Sequence, residues 1–313
     1  MQAPALAGGI GAVAWRGQLL AICCVVWCRK ASNTDHKGIV MKPAFYPPHL
    51  ALQPFVRYFM VVDVRLDGPA YGRVAPFPPT PQHCLNFYPA DATRSRQGQQ
   101  AFRELPACTI VGPQTTKVDL ALGVQHRFVS VAFQPGGLFR LLRLPLHEVL
   151  DTPLNGADVL GPALREVSEK LQEATQLLVM KNIVEAYLLR KMSQVPASPF
   201  ERAIRLLLGG NAAPTLDEVA ALACLSNRQF ERKAKDVLGY SPKFFARLAR
   251  FSRAYRLKVN QPQARWTTIS HQCGYYDQMH LIRDFKEFTA TTPRLLALEM
   301  RDSPLKIQGD FPL

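Results

Sequence analysis

The sequence TLDEVAALACLSNRQFERKAKDVLG, Thr215–Gly239, gives the clearest indication of the fold. Apolar residues recur every three or four positions in its first part, which predicts a short helix, and residues 224–226 predict a tight turn. Ser226, followed three residues later by Gln229, is the pattern of a helix N-terminus in which the two residues cap each other. Gly239 marks the end of that second helix. A short helix, a tight turn and an Arg/Gln-rich helix form the arrangement that enters a DNA major groove.

The arrangement occurs a second time in TTISHQCGYYDQMHLIRDFKEFTATTP, Thr267–Pro293. A short helix ends at Gly274, and the helix that follows has an apolar side made of Leu281, Ile282, Phe285 and Phe288. The repeat is offset by 51 residues, from Arg232 to Arg283. Two such helices on one face would enter successive major grooves, about 34 Å apart. The repetition therefore indicates duplex DNA as the partner more strongly than either unit alone.

Residues 241–260, SPKFFARLARFSRAYRLKVN, lie between the two units. Their spacing predicts one long helix that separates the units rigidly. We expect an apolar side and a basic side, the latter made of Arg247, Arg250, Arg253 and Arg256.

The polar side chains of the two second helices are expected to face outward. In the first they are Arg228, Gln229, Arg232, Lys233 and Lys235, and in the second Gln278, Met279, His280, Arg283 and Lys286. Arg can bind guanine and Gln can bind adenine through two hydrogen bonds each. Any single Arg has phosphate or solvent as its alternative, because at least half of protein–DNA contacts carry no sequence information.

Residues 200–298 resemble the DNA-binding domain of the AraC/XylS family of transcriptional regulators. The resemblance is carried by LSNRQFERKAKDVLGYSPKFFARLARF and ISHQCGYYDQMHLIRDFKEFTATTP, including the Cys-Gly-Tyr turn and the closing Thr292-Pro293. It implies seven helices and two helix-turn-helix units joined by a linker helix. By motif position it implies base reading by Arg228, Gln229, Arg232, Gln278, Met279, His280 and Arg283. The predicted phosphate contacts are Ser226, Lys233, Lys235, Lys243, Arg247 and Lys286.

This sequence departs from the family pattern at three positions. Ala234 stands where Phe is usual, which predicts a looser core there, and Leu281 stands where Phe is common. Met279 replaces a small polar residue, which puts base reading at that position in doubt.

The charge distribution agrees with a polyanionic partner. The 313 residues carry a formal charge of +14, and residues 199–301 alone have 17 basic and 9 acidic side chains, a net charge of +8. Hydrophobic residues make up 48% and charged residues 20%, which excludes a wholly disordered chain. No stretch of 18 apolar residues occurs, so no membrane partner is expected.

Residues 41–160 are predicted to form a β-rich sensor or regulatory domain. Short β-prone runs, such as Phe55–Val64 and Phe128–Phe133, alternate with Pro- and Gly-rich turns, which is typical of a small sandwich or barrel. More loosely, residues 42–195 resemble the sensor domains of the same family, whose usual role is effector binding, dimerisation or both. His83, His126 and His147 are too scattered to predict a metal site. We expect no catalytic residues, no metal and no cofactor.

Residues 161–198 are predicted to form a helical linker. Leu164, Val167, Leu171, Ala174 and Leu178 recur at helical spacing on one stripe. The stripe has two interpretations, packing against the strand domain or pairing two subunits. The segment SQVPASP, 193–199, has the composition of a linker.

The two ends of the chain differ from the rest. Residues 1–40 contain the apolar run LLAICCVVWC, which has a signal-peptide outline but no small-residue cleavage site after it. We interpret 1–40 as an extension, with the working protein starting near Met41, and 302–313 as a tail. Seven cysteines, an odd number, suit a reducing compartment, so a cytoplasmic location is expected. A metal site at Cys23, Cys24 and Cys28 with His36 matches no closed zinc pattern well.

Together these patterns predict an α+β chain. An N-terminal β-rich barrel- or sandwich-like domain is followed by a helical linker and an all-α C-terminal domain, 199–301, with two helix-turn-helix units. The predicted function is sequence-specific binding of double-stranded DNA to regulate transcription. A small-molecule effector, RNA polymerase and a second copy of the chain are further candidate partners. The alternatives are a nonspecific DNA-coating protein and an enzyme with a DNA-binding appendage, which would need an activated Cys84 or Cys108.

Overall fold

The computed structural model describes residues 43–66, 74–192, 197–209 and 214–301. The predictions for the extension 1–40, for its cysteines and for the tail 302–313 lie outside these residues. Residues 193–196, which belong to the segment SQVPASP (193–199) with linker composition, also lie outside the described ranges. Within the described ranges, no helix combines the length and apolar character that a bilayer crossing requires.

The N-terminal part is built from antiparallel strands. They are β1 (Ala44–Tyr46), β2 (Val56–Arg65), β3 (Val74–Phe77), β4 (Cys84–Phe87), β5 (Arg94–Gln97), β6 (Arg103–Glu104), β7 (Cys108–Val111), β8 (Val118–Ala121), β9 (Gln125–Phe133) and β10 (Leu154–Asn155). One sheet has the order β1-β2-β9-β4-β7-β10, and the other has the order β3-β8-β5-β6. The predicted sandwich-like domain is confirmed.

The six-stranded sheet has two different faces because side chains alternate along each strand. On β2, Phe59 and Val61 are fully buried in a core that the sheet shares with the following helices. Tyr58 and Met60, which alternate with them along the strand, face a cavity bounded by the four-stranded sheet. The register pairs Phe59 with Val131 of β9, so both strands contribute to the same core.

Four helices accompany the sheets: α1 (Gly137–Leu142), α2 (Gly156–Leu160), α3 (Ala163–Glu173) and α4 (Leu177–Lys191). The predicted stripe packs on the six-stranded sheet, since Leu164, Val167 and Leu171 are buried in its core. The interpretation of this stripe as a subunit-pairing seam is therefore wrong. The sequence also placed Leu178 on this stripe, but Leu178 is 52% exposed. The backbone is extended at Ala174, so the helical period of α3 ends there and a new one begins in α4.

Seven helices lie in 197–209 and 214–301, as the family resemblance implies. They are α5 (Pro199–Ile204), α6 (Leu216–Leu222), α7 (Asn227–Leu238), α8 (Pro242–Asn260), α9 (Trp266–Gln272), α10 (Gln278–Thr289) and α11 (Pro293–Arg301). Helices α6–α7 and α9–α10 are the two predicted helix-turn-helix units, and α8 is the long helix between them.

The two units share one hydrophobic core. Phe251 of α8 lies with its ring centroid 4.8 Å from that of Phe285 and 5.0 Å from that of Phe288, both on α10. Phe230 of α7 belongs to the same cluster. Ala234 is fully buried among them, where the sequence predicted a looser core.

The arginines on the basic side of α8 contact other parts of the protein. Arg247 pairs with two carboxylates of α10, and Arg250 lies with its guanidinium carbon 4.7 Å from the ring centroid of Tyr275. Arg253 donates to the carbonyl oxygen of Leu208 at 3.0 Å, and Arg256 is only 8% exposed. Burial lowers the pKa of Arg256 to about 10. These side chains therefore belong to internal contacts of the domain.

Candidate nucleic-acid interface

Helix α7 begins at the cap that the sequence predicts. The Ser226 hydroxyl accepts from the backbone N–H of Gln229, and the Gln229 side-chain oxygen accepts from the backbone N–H of Ser226 at 3.0 Å. The helix ends at Gly239, which adopts the left-handed conformation with φ of 79°. Phe230, Ala234, Val237 and Leu238 form its buried side. These local signals fix both ends of α7 and its rotation about its own axis.

The opposite side of α7 is exposed, as predicted. Arg228, Gln229, Arg232, Lys233 and Lys235 are all on it. Within the described part of the chain, Arg228 and Arg232 make no ion pair, whereas Lys235 lies 3.8 Å from the Glu231 carboxylate. The Lys233 ammonium lies 5.5 Å from the ring centroid of Phe200. Arg228 and Arg232 are therefore the cations of α7 that are least engaged with the protein itself.

Gln229 has two competing uses. Bidentate recognition of adenine requires both its amide oxygen and its amide nitrogen. The oxygen already accepts from the backbone of Ser226 and lies 3.1 Å from the Ser226 hydroxyl. A base contact by Gln229 must therefore either use the nitrogen alone or release the cap. Likewise, the predicted phosphate contact at Ser226 uses a hydroxyl that the cap already engages.

Helix α10 has a different cap from α7 but a similar exposed side. The Asp277 carboxylate accepts from the backbone N–H of His280 at 2.7 Å. Gln278, Met279, Arg283 and Lys286 are exposed, with Met279 at 57%. In the described ranges Arg283 makes no ion pair. The predicted second reading helix thus presents the side chains that its sequence placed outward.

His280 differs from its predicted outward position, and Tyr276 adds an exposed side chain just before α10. His280 is half-buried, with its ring at right angles to that of Tyr275 and 5.3 Å from it, so it has less freedom to reach a base edge. Tyr276 is 90% exposed in the turn before α10, although sequence reasoning named no role for it. The only signal was a second tyrosine after the Cys-Gly-Tyr turn. An exposed aromatic hydroxyl there could contact the DNA backbone.

Arg247, predicted as a phosphate contact, has a different position. Its guanidinium lies 2.7 Å from the Asp284 carboxylate and 2.5 Å from that of Glu287. The hydrogen bonds that Arg247 donates to Glu287 and Asp284 raise the pKa of its guanidinium. Since Asp284 is only 1% exposed, Arg247 serves to neutralise a buried charge. This argues against Arg247 as a phosphate contact and for a tie between α8 and α10. Lys243, by contrast, is exposed at the start of α8.

In the described ranges, no group of three or more His, Cys, Asp or Glu side chains is placed to hold a metal ion. His83 and His126 are buried, and burial lowers the pKa of each to about 4. His147 is half-exposed and lies 3.5 Å from the Asp236 carboxylate of α7.

Two family models match the chain. Residues 219–297 match the model described as a helix-turn-helix domain, and residues 44–155 match the model described as a domain of unknown function (DUF6597). Among curated proteins, no relative matches the chain significantly.

Several solved structures are similar to the chain. ToxT from Vibrio cholerae O395 is 11% identical, with 77% of this chain and 98% of ToxT covered and a TM-score of 0.43. A transcriptional regulator with an AraC-type DNA-binding domain from Chromobacterium violaceum is 24% identical over 33% of this chain and 91% of its own, with a TM-score of 0.30. The DNA-binding domain of the global transcriptional factor AdpA, in complex with a target DNA, is 20% identical over 34% of this chain and 95% of its own, with a TM-score of 0.31.

Proposed function

We propose that this chain, whose residues 219–297 are a helix-turn-helix domain of the AraC type, regulates transcription by binding a specific sequence of double-stranded DNA. The observation that carries the proposal is the pair of second helices, α7 and α10, which extend from one hydrophobic core and present Arg232 and Arg283 to solvent. A guanidinium on an exposed helix face can bind the major-groove edge of guanine with two hydrogen bonds.

The DNA contact proposed for each side chain follows from its exposure to solvent and from the bonds that it already makes within the protein. Arg228, Arg232, Gln278 and Arg283 read base edges, and Met279 offers an apolar contact to a thymine methyl group. Gln229 and His280 are weaker base readers, because one caps α7 and the other packs on Tyr275. Lys233, Lys235, Lys243 and Lys286 bind phosphates. Ser226 contributes mainly through its cap, and Arg247 acts as a positioning residue rather than a DNA contact.

The test is selection of bound duplexes from a random pool by the full chain, followed by sequencing. We expect an enriched site with two elements about 10 bp apart, one for each unit. Arg283→Ala should relax the preference in one element and Arg232→Ala in the other. Arg165→Ala, on the exposed side of α3 in the N-terminal part, is the matched control and should leave the selected sequence unchanged.

A nonspecific DNA-coating protein is the first alternative. Coating requires only Lys and Arg against phosphates, whereas here Gln278 and Met279 share the exposed face of α10 with the cations. Equal affinity for the selected duplex and for a shuffled duplex of the same length, measured at 150 mM salt, would favour coating.

An enzyme with a DNA-binding appendage is the second alternative. It requires a thiolate nucleophile, and burial raises the pKa of Cys84 to about 11 and that of Cys108 to about 12. Both thiols are therefore expected to be protonated at neutral pH. Site-resolved mass spectrometry after iodoacetamide treatment should show exposed Cys224 modified before either of them. Fast alkylation of Cys84 or Cys108 would favour the enzyme.

The proposal treats 41–160 as the regulatory domain, 161–198 as a helical element attached to it and 199–301 as the DNA-binding domain. Regulation by a small molecule is included, because the N-terminal part contains a cavity of about 550 Å³. A homodimer, contact with RNA polymerase and a cytoplasmic location stay predictions from the sequence. If dimers form, the stripe of α3 cannot supply the interface, because it is buried against the sheet.

A further inference from the structure

The caps of α7 and α10 place the two helices in a common register. Each helix can be counted from its own N-cap residue, Ser226 for α7 and Asp277 for α10. The fourth, eighth, eleventh and twelfth residues after the cap are buried in both helices. The sixth residue is an exposed arginine in both, Arg232 in one and Arg283 in the other. The outward residues between the cap and this arginine can therefore be compared position by position.

The first position after the cap is engaged in α7 and free in α10. In α7 it is Asn227, whose side-chain nitrogen donates to the carboxylate of Asp217 on α6 at 2.7 Å. In α10 it is Gln278, which is exposed and makes no hydrogen bond or ion pair within the described ranges. Recognition of adenine uses the amide oxygen and nitrogen together. Gln278 can present both atoms to a base, whereas Asn227 is held toward α6.

The second position differs in chemical character between the two helices. In α7 it is Arg228, an exposed guanidinium whose five N–H groups can only donate. In α10 it is Met279, which is 57% exposed and has no donor at all. In the major groove, Arg matches the two acceptors of guanine, and an apolar side chain matches the 5-methyl group of thymine. The same place in the two units therefore favours two different bases.

The third position is restricted in both helices. The side-chain oxygen of Gln229 accepts from the backbone N–H of Ser226 at 3.0 Å in the α7 cap. The ring of His280 lies with its centroid 5.3 Å from that of Tyr275. The side chains left free to read bases are thus two arginines in α7, but a glutamine, a methionine and an arginine in α10.

We propose that the two units read elements of different base chemistry. The α7 element, defined as the base pairs that α7 contacts, is read through guanines by Arg228 and Arg232. The α10 element, defined in the same way, combines an adenine read by Gln278, a guanine read by Arg283 and a thymine whose 5-methyl group contacts Met279. The site is then asymmetric and fixes the direction in which the chain lies on the duplex. This inference rests on the proposed function, because it requires base reading by both helices.

Selection of bound duplexes by the full chain tests the base content of the two elements. The elements are assigned to their helices by the positions at which Arg232→Ala and Arg283→Ala relax the preference. We expect guanines without a required A·T pair in the α7 element, and a required A·T pair in the α10 element. Gln278→Ala should remove the preference for adenine. Asn227→Ala is the matched control at the same position of α7 and should leave the selected sequence unchanged.

Replacing thymine by uracil in the selected duplex tests the methyl contact directly. This replacement removes the 5-methyl group and keeps every hydrogen-bonding group of the base. In the α10 element it should weaken binding of the parent chain about fourfold at one position, the effect of one methyl group returned to water. Met279→Ala should bind the two duplexes equally, whereas Met279→Leu, which is still apolar, should keep the difference. Uracil in the α7 element should leave the affinity of the parent chain unchanged.

Exchanging the second positions tests the comparison between the units. Met279→Arg should replace the thymine preference in the α10 element by a guanine preference. Arg228→Met should remove one guanine preference from the α7 element and make that element sensitive to uracil. Both side chains are exposed, so the variants should melt at the temperature of the parent chain.

The outcomes separate this inference from the proposed function. If no sequence is enriched, the proposed function is wrong and this inference is wrong with it. If a sequence is enriched but its two elements have the same base content, only this inference is wrong. The same holds if the uracil effect persists in folded Met279→Ala, because the methyl group would then be recognised by another side chain.

Discussion

Replacing Arg247 by Met distinguishes a structural tie from a DNA contact. Arg247 joins α8 to α10 through Asp284, which is buried, and Glu287, whose side chain is 50% exposed. Met keeps much of the aliphatic length and removes the charge. If Arg247 contacts a phosphate, the substitution should weaken DNA binding with little change in stability. If Arg247 ties α8 to α10, the substitution should markedly lower the free energy of unfolding.

The magnitude follows from the burial of the Asp284 carboxylate and the exposure of the Glu287 carboxylate. Removing one partner of a buried ion pair costs about 3–5 kcal/mol, and the exposed pair with Glu287 adds about 0–1 kcal/mol. Arg250 lies 4.0 Å from the second oxygen of Asp284 and can partly replace the lost charge. Arg247 is itself 26% exposed, which reduces the cost further. We therefore expect Arg247→Met to lower the free energy of unfolding by about 2–4 kcal/mol.

The assay combines urea unfolding with DNA binding at several salt concentrations. The double variant Arg247→Met/Asp284→Leu should recover most of the lost stability, because it removes the unpaired carboxylate. Lys286→Met is the control for a phosphate contact and should lower the slope of log affinity against log salt by about 1. A loss below about 0.5 kcal/mol in Arg247→Met, together with a lower salt slope, would refute the tie.

Three further outcomes are expected. Arg232→Ala should cost about 1–3 kcal/mol of affinity for the selected duplex in a titration, and much less for a shuffled one. Gly239→Ala should lower the free energy of unfolding by about 2–4 kcal/mol, because it adds left-handed strain and displaces Pro113; an unchanged urea midpoint would contradict this packing. His126 is held neutral, with its pKa lowered from 6.5 to about 4, so stability present above pH 6.5 should fall by about 3 kcal/mol toward pH 4. In urea unfolding across this pH range, His126→Phe should not show the part of the stability loss that comes from protonation of His126. His83 contributes a similar stability loss in both the variant and the parent protein.

The helix-turn-helix units were predictable because their signals are local. The Ser226–Gln229 cap and the left-handed Gly239 lie at the two ends of α7, and each bonds to a residue three or four positions away, Gln229 and Lys235 respectively. The same holds for the buried stripe of α3 as far as Ala174. Leu178 was wrongly placed on this stripe. The backbone at Ala174 is extended, which resets the helical period, and no residue between Ala174 and Leu178 indicates this break in the sequence.

Features that depend on distant partners were not predictable. Strand β5 has the sequence RSRQ, which carries no apolar alternation, and it is a strand because β8 and β6 pair with it. Arg247 was predicted to contact a phosphate, since its partner Asp284 lies 37 residues further along the chain and leaves no local signal. Tyr276 was overlooked because exposure in a turn leaves no periodic signal. The role of each of these residues depends on its surroundings in the folded structure and not on its neighbours in the sequence.

The shared core limits how regulation can act on the two reading helices. Phe251 packs on Phe285 and Phe288, so rotating one unit independently would open a cavity where aromatic rings now meet, at a cost of about 3–5 kcal/mol per ring lost. Tyr240 and Phe288 are attached to the N-terminal part by hydrogen bonds to Gln114 and Lys117, each contributing about 0.5–1.5 kcal/mol, and the Tyr240 ring also lies with its centroid 6.2 Å from that of His83. A change in the N-terminal part is therefore expected to alter these attachments before it disrupts the core. We therefore expect regulation to act on the two helices together, by holding or releasing their ends, and not by moving either helix separately.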